Sequence, residues 1–228
     1  MRCVITSAAN PRLRLVRRLQ SRRQRGKLGL FVCEGEDIVE AARAASIEPV
    51  DLLIAGESVD TELLAAVSTL AHPARVIGIF RREDLPPFEE RPAGLALWHV
   101  ADPGNVGTLI RCADAFGASV ALSAGCADPT GPKVLRASAG AIFRVPIGRF
   151  DEPRGRRVAL VAHGGEPLAQ VELPDGTVFV LGAEREGLPD ETVLACDVVA
   201  SIPLAPGAES LNVAIAGAIA LYEWSRRR

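Results

Sequence analysis

Short apolar runs that alternate with helical segments are the feature of this sequence that most constrains its fold. The apolar runs include "LFVCEG", "PVDLLIAG", "ARVIGIF", "GLALWHV" and "VFVLGA", and the segments between them place apolar residues at helical spacing. Buried strands that alternate with helices are typical of α/β proteins built on a parallel sheet. The sequence therefore predicts an α/β fold with a mostly parallel sheet in both halves of the chain.

One segment interrupts this alternation and predicts a domain boundary. "RREDLPPFEERPAG" is charged, contains three prolines and has no apolar period. Such composition is typical of a linker between domains. We therefore place the boundary near residues 81–93, with a small domain over residues 1–90 and a larger one over residues 91–228.

Positive charge is concentrated at the start of the chain, in residues 1–33, which we call the basic head. The basic head contains nine Lys or Arg residues and no acid, which leaves 17 basic residues against 28 acidic ones in the rest of the chain. A basic end on an acidic body indicates a polyanionic partner, although a solvated helix face is the simpler alternative. "NPRLRLVRRL" predicts a helix that starts at Pro11 and turns Leu13, Val16 and Leu19 inward. The arginines expected to contact the partner are Arg12, Arg14, Arg17, Arg18, Arg22, Arg23 and Arg25.

Several classes of protein are excluded by what the sequence lacks. No apolar run is long enough to span a membrane, and the first residues do not form a secretory signal. The five cysteines form no CxxC pair, which favours reduced thiols in the cytoplasm, and the three histidines form no metal-binding pattern. There is no GxGxxG fingerprint and no phosphate-binding P-loop.

Arg111 lies on a predicted helix over residues 107–116 and has two interpretations. Leu109, Cys112 and Phe116 share the apolar face of this helix, whereas Arg111 and Asp114 lie on another face. In the simpler interpretation Arg111 and Asp114 form a solvated ion pair three residues apart. In the alternative, Arg111 faces a ligand cleft.

Three glycine-rich loops follow predicted strands and carry polar side chains. They are residues 102–105 with Asn105, residues 182–188 with Glu184, and residues 205–212 with Ser210 and Asn212. Open α/β sheets bind ligands at the carboxyl ends of their strands, so these loops predict a binding site. Asn212 begins an apolar helix and has the alternative role of a helix cap, and Glu184 has the alternative of a solvated loop acid.

Four motifs in these regions resemble the SpoU (TrmH) family of SPOUT RNA methyltransferases. They are, in order, "DPGNVGTLIRCADAFGA", "ASAGAIFRVPI", "LGAEREGL" and "IPLAPGAESLNVAIA". The N-terminal region resembles the small substrate-binding domain of many family members, which is similar to a ribosomal protein. The resemblance covers nearly the whole chain and is strongest from about residue 95 onward.

The resemblance implies a homodimeric enzyme that methylates a ribose 2′-hydroxyl of structured RNA with S-adenosylmethionine. It also implies a catalytic domain with a trefoil knot that holds the cofactor. By the resemblance, Asn105, Arg111, Glu184, Ser210 and Asn212 are the catalytic polar residues, and Gly182, Ile202 and Leu211 bind the cofactor. Two residues depart from the family pattern: Arg185 replaces a frequent glycine, and Pro206 replaces a small flexible residue.

The chemistry constrains how Arg111 acts. A guanidinium keeps its proton at neutral pH, so we expect Arg111 to hold a phosphate and stabilise negative charge at the attacking oxygen rather than act as a base. Methyl transfer itself requires no metal. The two-domain layout resembles that of family members that act on large-subunit ribosomal RNA, so the resemblance implies a ribosomal RNA substrate, in a housekeeping or an antibiotic-resistance role. The alternatives are a tRNA 2′-O-methyltransferase, a non-catalytic RNA-binding or ribosome-assembly protein on the same fold, and a small-molecule α/β enzyme.

Overall fold

The computed structural model describes residues 4–228 as two β-sheets with helices packed against them. Arg2 and Cys3, which the charge and cysteine arguments include, lie outside the described residues. The elements of the first part are α1 (Pro11–Leu19), α2 (Arg22–Leu28), β1 (Leu30–Glu34), α3 (Glu36–Ala44), β2 (Asp51–Ile54), α4 (Thr61–Ala65) and β3 (Val76–Arg81).

The first helix forms as the sequence predicts. The side chain of Asn10 accepts a hydrogen bond from the backbone N–H of Arg12, and Pro11 occupies the first helical position. Leu13, Val16 and Leu19 are buried. The arginines between them are thereby turned toward the surface or toward neighbouring elements.

The sheet of the first part is antiparallel, so the prediction of a parallel sheet in both halves was wrong for this half. Its strand order is β1-β3-β2, and β3 is antiparallel to both neighbours. Ile54 at the end of β2 pairs with Val76 at the start of β3, so the chain between them returns to the same end of the sheet. The short α4 does not carry the chain back across the sheet, as a parallel connection requires. This helix is only five residues long and ends at Ala65.

The second part contains a seven-stranded sheet in which every described pairing is parallel. Its strands are β4 (Ala93–Leu97), β5 (Ser119–Leu122), β6 (Ile147–Arg149), β7 (Arg157–Val161), β8 (Glu166–Pro167), β9 (Thr177–Leu181) and β10 (Val198–Ser201). The strand order is β6-β5-β4-β9-β7-β10-β8. The carboxyl ends of all seven strands therefore lie at one edge, which we call the carboxyl edge.

Four helices accompany this sheet: α5 (Pro103–Phe116), α6 (Pro132–Ser138), α7 (Asp190–Leu194) and α8 (Val213–Ser225). The main core joins one face of the sheet to α5 and α8, and it includes Leu95, Leu97, Leu109, Phe179 and Leu221. Gly107 on α5 allows α6 to approach closely, because a Cβ there would overlap Ala137. Within residues 4–228 no helix is long and apolar enough to cross a membrane.

The two sheets are joined by a shared apolar cluster rather than by a free linker. Phe31 and Phe80 from the first sheet pack with Phe143 from the second part, at ring-centroid distances of 5.8, 6.2 and 5.3 Å within the trio. The segment predicted as a linker contains a short 3-10 turn at Arg82–Asp84 and then runs without regular structure to β4. Phe88, a residue of this segment, packs its side chain beside Gly148 of β6.

Candidate active site

The three polar loops meet at the carboxyl edge through one hydrogen-bonded group of side chains. Asn105 donates from Nδ2 to Oε1 of Glu184 at 3.0 Å, and its Oδ1 accepts from Nδ2 of Asn212 at 2.9 Å. These residues are separated by 79 and 107 positions in the sequence. The structure thus brings three of the five predicted catalytic residues into one network, with Asn105 at its centre.

The sequence predicted that Asn105 lies in a loop before the helix. In the structure it lies in the first turn of α5. The carboxylate of Asp102 caps α5 by accepting from the backbone N–H of Asn105 at 2.9 Å, and Pro103 occupies the first helical position. Asp102 was missed as a positioning residue. The signal was present, because Asp102-Pro103 repeats the cap-and-proline pattern of Asn10-Pro11.

Asn212 serves both as a helix cap and as a member of the network. Its Oδ1 accepts from the backbone N–H of Ala214 at 2.9 Å and of Ile215 at 3.3 Å, which caps α8. Its Nδ2 remains free to donate to Asn105. The two interpretations of this residue are therefore compatible, because each uses a different end of the amide.

Glu184 is held by a tight turn after β9. The backbones of Ala183 and Gly187 exchange two hydrogen bonds of 3.0 Å, which closes the turn around Glu184 and Arg185. A Cβ at Gly182 would overlap the backbone of Gly187 and Leu188, so only glycine fits at that position. The turn fixes the backbone on each side of the Glu184 carboxylate.

A cavity of about 350 Å³ opens between the ends of β7, β9 and β10 and the start of α8. All three predicted cofactor-binding residues, Gly182, Ile202 and Leu211, line it. The predicted catalytic residues Glu184 and Ser210 also line it, as does Arg185. Its size falls in the range of small-molecule sites.

The lining of this cavity suits S-adenosylmethionine. Apolar side chains of Leu160, Leu181 and Val213 suit the flat faces of an adenine ring, and the half-buried backbone of Gly182, which lines the cavity, offers polar groups for its edge. Glu184 and Glu209 also line the cavity, and their negative charge complements a positively charged sulfonium. The chemistry of the lining therefore fits this cofactor.

Arg111 is exposed on α5 and does not line this cavity, so the expectation that it faces the cleft rather than bulk water was wrong for the single chain. The simpler interpretation was also wrong, because Asp114 pairs with Arg144 through contacts of 3.0, 3.2 and 2.6 Å. Within residues 4–228 Arg111 forms neither a hydrogen bond nor an ion pair. Its guanidinium is therefore available to a group from outside this chain.

Cys112, beside Arg111 on α5, is half-buried. Burial raises the pKa of its thiol, and the charge of Arg111 offsets this only in part. The four described cysteines are all free thiols: Cys33, Cys112, Cys126 and Cys196. In the described part of the chain no cluster of three His, Cys, Asp or Glu side chains is placed to hold a metal ion.

The arginines of the basic head divide into exposed and internally bonded ones. Five are exposed: Arg14, Arg17, Arg18, Arg22 and Arg23. Arg12 forms a two-point ion pair with Asp51, so part of its charge is already neutralised. Arg25 is only 4% exposed, and the prediction that it contacts RNA was wrong.

Arg25 is buried because Asp128 and two backbone carbonyls satisfy its guanidinium. It donates to Oδ2 of Asp128 at 3.0 and 2.7 Å and to the carbonyls of Leu19 and Gln20 at 2.9 Å each. Arg82 donates to the other carboxylate oxygen of Asp128 at 2.6 Å. Asp128 follows β5, so it ties the basic head to the carboxyl edge; no sequence pattern indicated this role.

Two family models match the chain. Residues 92–222 match the model described as the SpoU rRNA methylase family, and residues 10–82 match the MRM3-like substrate binding domain. The first match contains Asn105, Arg111, Glu184, Ser210 and Asn212. The second contains α1 to α4 and the antiparallel sheet.

Relatives and solved structures agree with these models over nearly the full chain. An uncharacterised tRNA/rRNA methyltransferase of Synechocystis sp. is 31% identical, over 98% of this chain and 94% of the relative. The 23S rRNA (guanosine(2553)-2′-O)-methyltransferase of Bacillus subtilis is 28% identical, over 96% of this chain and 97% of the relative. The crystal structure of an AdoMet-bound rRNA methyltransferase from Sinorhizobium meliloti superposes with a TM-score of 0.88 at 29% identity, covering 99% of this chain and 98% of that one.

Proposed function

Because the chain belongs to the SpoU rRNA methylase family, we propose that it methylates a ribose 2′-hydroxyl in 23S ribosomal RNA. The observation that carries the proposal is the Asn105–Glu184–Asn212 network beside a cavity lined by Gly182, Ile202 and Leu211. The Bacillus subtilis relative is named for this reaction. A ribosomal RNA substrate also implies that the enzyme acts in the cytoplasm.

S-adenosylmethionine, when bound, supplies the methyl group as a sulfonium. Gly182, Ile202 and Leu211 line the cavity and would hold it by backbone and apolar contact, and the AdoMet-bound neighbour supports the choice of cofactor. Glu184 lines the cavity, Asn105 donates a hydrogen bond to its carboxylate, and Asn212 in turn donates to Asn105. The sites of cofactor and chemistry are therefore adjacent.

The remaining polar residues act on the RNA. Arg111 uses its unpaired guanidinium to hold the phosphate next to the target ribose and to stabilise negative charge as the hydroxyl loses its proton. Ser210 lines the cavity and offers a hydroxyl to the same region. Positioning of this kind is the main need of the reaction, because a ribose hydroxyl is a weak nucleophile.

We further propose two domains and a homodimer. Residues 1–90 form the RNA substrate-binding domain and residues 91–228 form the SPOUT methyltransferase domain, with the knot that the resemblance implies. Ile215 and Tyr222 on α8, and Leu211 just before it, expose apolar surface. A second copy of the chain that covers this surface would bring new groups to the exposed Arg111, since α5 packs against α8.

The experiment that tests the function combines binding with transfer. Calorimetry should show binding of S-adenosylmethionine to the purified protein. Labelled cofactor should then methylate 23S ribosomal RNA transcripts at a single 2′-hydroxyl, mapped by resistance to alkaline cleavage. Transfer to tRNA instead would support the tRNA alternative, and RNA binding without transfer would support the non-catalytic one.

A further inference from the structure

A basic cleft runs between the basic head and the catalytic sheet. It has a volume of about 440 Å³ and is lined by Arg22 from α2, by Lys133 and Arg136 from α6, by Thr69, and by Pro103 at the start of α5. Pro103 lies two positions before Asn105. The cleft therefore runs from the basic head to the amino-terminal end of α5, which carries Asn105, the centre of the candidate active site.

Three of the four cations that line this cleft, Arg22, Lys133 and Arg136, form no ion pair with any residue that the structure describes, whereas the fourth, the buried Arg25, pairs with Asp128. The one carboxylate that lines it, Asp128, is buried and already accepts from Arg25 and Arg82. Arg22 donates only to the carbonyl of Cys126 at 3.3 Å, and Arg136 only to the hydroxyl of Thr69 at 3.3 Å. No ion pair within residues 4–228 involves Arg22, Lys133 or Arg136, although many arginines outside the basic head pair with carboxylates.

The helix α6, which carries two of these cations, is held in a fixed position relative to the site. Lys133 and Arg136 are three residues apart and both exposed, so they share one face of α6. The close approach at Gly107 packs α6 directly on α5. Thr69, which contacts Arg136, is itself anchored by hydrogen bonds to the buried carboxylate of Glu34.

The lining of the cleft is suited to phosphate and not to bases. Arginine and lysine are the side chains that most often bind nucleic-acid phosphates, whereas bases that are read in single strands stack on aromatic rings. None of the side chains that line the cleft, as the structure describes it, is aromatic. Binding here would be independent of RNA sequence.

We propose that this cleft binds the phosphate backbone of the RNA substrate through Arg22, Lys133 and Arg136, and leads the strand from the basic head to the site. The inference rests on the proposed function for the identity of the ligand. It assigns Lys133 and Arg136 as positioning residues in the substrate path. These two residues affect the affinity for RNA and the position in which it binds, and they do not affect the methyl-transfer step.

The test compares two double variants of the full-length protein. Lys133→Ala/Arg136→Ala removes both cations of α6. Arg154→Ala/Arg156→Ala is the matched control, because these arginines precede β7 and lie at the opposite edge of the parallel sheet. Binding of a fluorescently labelled 23S ribosomal RNA transcript is measured by anisotropy over a range of salt concentrations, and S-adenosylmethionine binding is measured by calorimetry.

We expect the cleft variant to bind RNA about tenfold more weakly or worse, and its log–log salt slope to fall by about 0.7–0.9 for each lost phosphate contact. Its KM for RNA should rise while its kcat and its cofactor affinity stay within about twofold, since neither cation touches the reacting atoms. The charge-conserving variant Lys133→Arg/Arg136→Lys should retain most of the affinity. The control should change none of these quantities beyond the general loss of charge.

An unchanged salt slope in the cleft variant, or a loss equal to that of the control, would overturn the inference. This outcome is distinct from failure of the proposed function. If the proposed function fails, the wild-type protein will transfer no methyl group to RNA. The anisotropy comparison will still decide whether the cleft binds RNA.

Discussion

At the scale of single residues, the site depends on side chains whose two ends have different partners. Asn212 caps α8 with its oxygen and donates to Asn105 with its nitrogen. Asn105 accepts from Asn212 and donates to Glu184. The sequence identified these residues but could not show the second partner of each, because that partner comes from a loop distant in the chain.

Asn212→Asp should separate capping from the network. Aspartate caps helices as well as asparagine does, so the free energy of unfolding should change by less than about 0.5 kcal/mol. The new carboxylate cannot donate to Asn105 and adds negative charge near Glu184, so methyl transfer should fall by at least about tenfold. Urea unfolding and single-turnover transfer measure the two effects.

The matched variant Asn212→Ala loses both functions of the side chain. It should also lower the free energy of unfolding by about 1 kcal/mol, the usual cost of a lost helix cap. Full activity in Asn212→Asp would show that the network is not needed for transfer.

Arg111→Ala should abolish methyl transfer while the affinity for S-adenosylmethionine stays within a few-fold. The exposed guanidinium does not line the cofactor cavity, and Asp114 is occupied by Arg144, so neither folding nor cofactor binding depends on it. Arg111→Lys should not restore activity, because a point charge cannot replace a planar fork of donors. Calorimetry and transfer assays are the measurements, and substantial activity in Arg111→Lys would contradict this role.

At the scale of elements, the sequence predicted most of the helices and strands and the parallel direction of the second sheet, but not the antiparallel direction of the first. The periodicity of "ARVIGIF" predicts a strand, which β3 confirms, yet it is the same whether β3 runs parallel or antiparallel to β2. Whether β2 and β3 run parallel depends on whether the chain between them crosses back over the sheet. Residues 55–75, which connect them, do not cross it, so the two strands are antiparallel. The burial of Arg25 was unpredictable for a similar reason, because its partner Asp128 lies 103 positions away.

Asp128→Asn should strongly destabilise the contact between α2 and the loop after β5. The Arg25–Asp128 pair is 5% and 6% exposed, and removing one partner leaves a buried charge unpaired, which costs about 3–5 kcal/mol. The matched variant is Asp51→Asn, whose pair with Arg12 is 27% and 39% exposed and should cost about 1 kcal/mol or less. Denaturant unfolding of both variants measures the difference, and equal losses would contradict the buried role.

The same carboxylate predicts how stability depends on pH. Burial alone would raise the pKa of Asp128, but hydrogen bonds from Arg25, the charge of Arg82 and hydrogen bonds from Thr130 outweigh it, so the pKa is lowered. A lowered pKa in the folded state means that the stabilisation is complete above the pKa of the unfolded chain, about 4, and is lost as pH falls through the folded value. The difference in unfolding free energy between wild type and Asp128→Asn should therefore be constant above about pH 5 and shrink in acid.

At the scale of the whole molecule, an apolar stripe on α8 is exposed in the single chain. Ile215 is 52% exposed and Tyr222 60% exposed, and these residues lie two helical turns apart on the same side of α8. The sequence pattern shows that the helix beginning at Asn212 is apolar. What covers the exposed stripe cannot be read from the pattern, because a second copy of the chain supplies no signal within one sequence.

Ile215→Glu/Tyr222→Glu should convert a dimer into monomers, because charges on both sides of a two-fold apolar interface repel each other and lose their water. Leu194→Glu is the control, since Leu194 on α7 is 84% exposed and away from α8. Sedimentation at micromolar concentration should show dimers for wild type and the control. Monomers in the wild type would contradict the homodimer.

The shared Phe31–Phe80–Phe143 cluster and the Asp128 contact hold the basic head at one set separation from the catalytic loops. On the proposed function the protein therefore measures a fixed distance on the RNA, from the part bound by the basic head to the ribose that reaches the Asn105–Glu184–Asn212 network. An RNA is then selected by the span between the element it docks and the ribose it presents. Lengthening a stem between those two points would not move the methyl group to a neighbouring nucleotide; it would leave no ribose within reach.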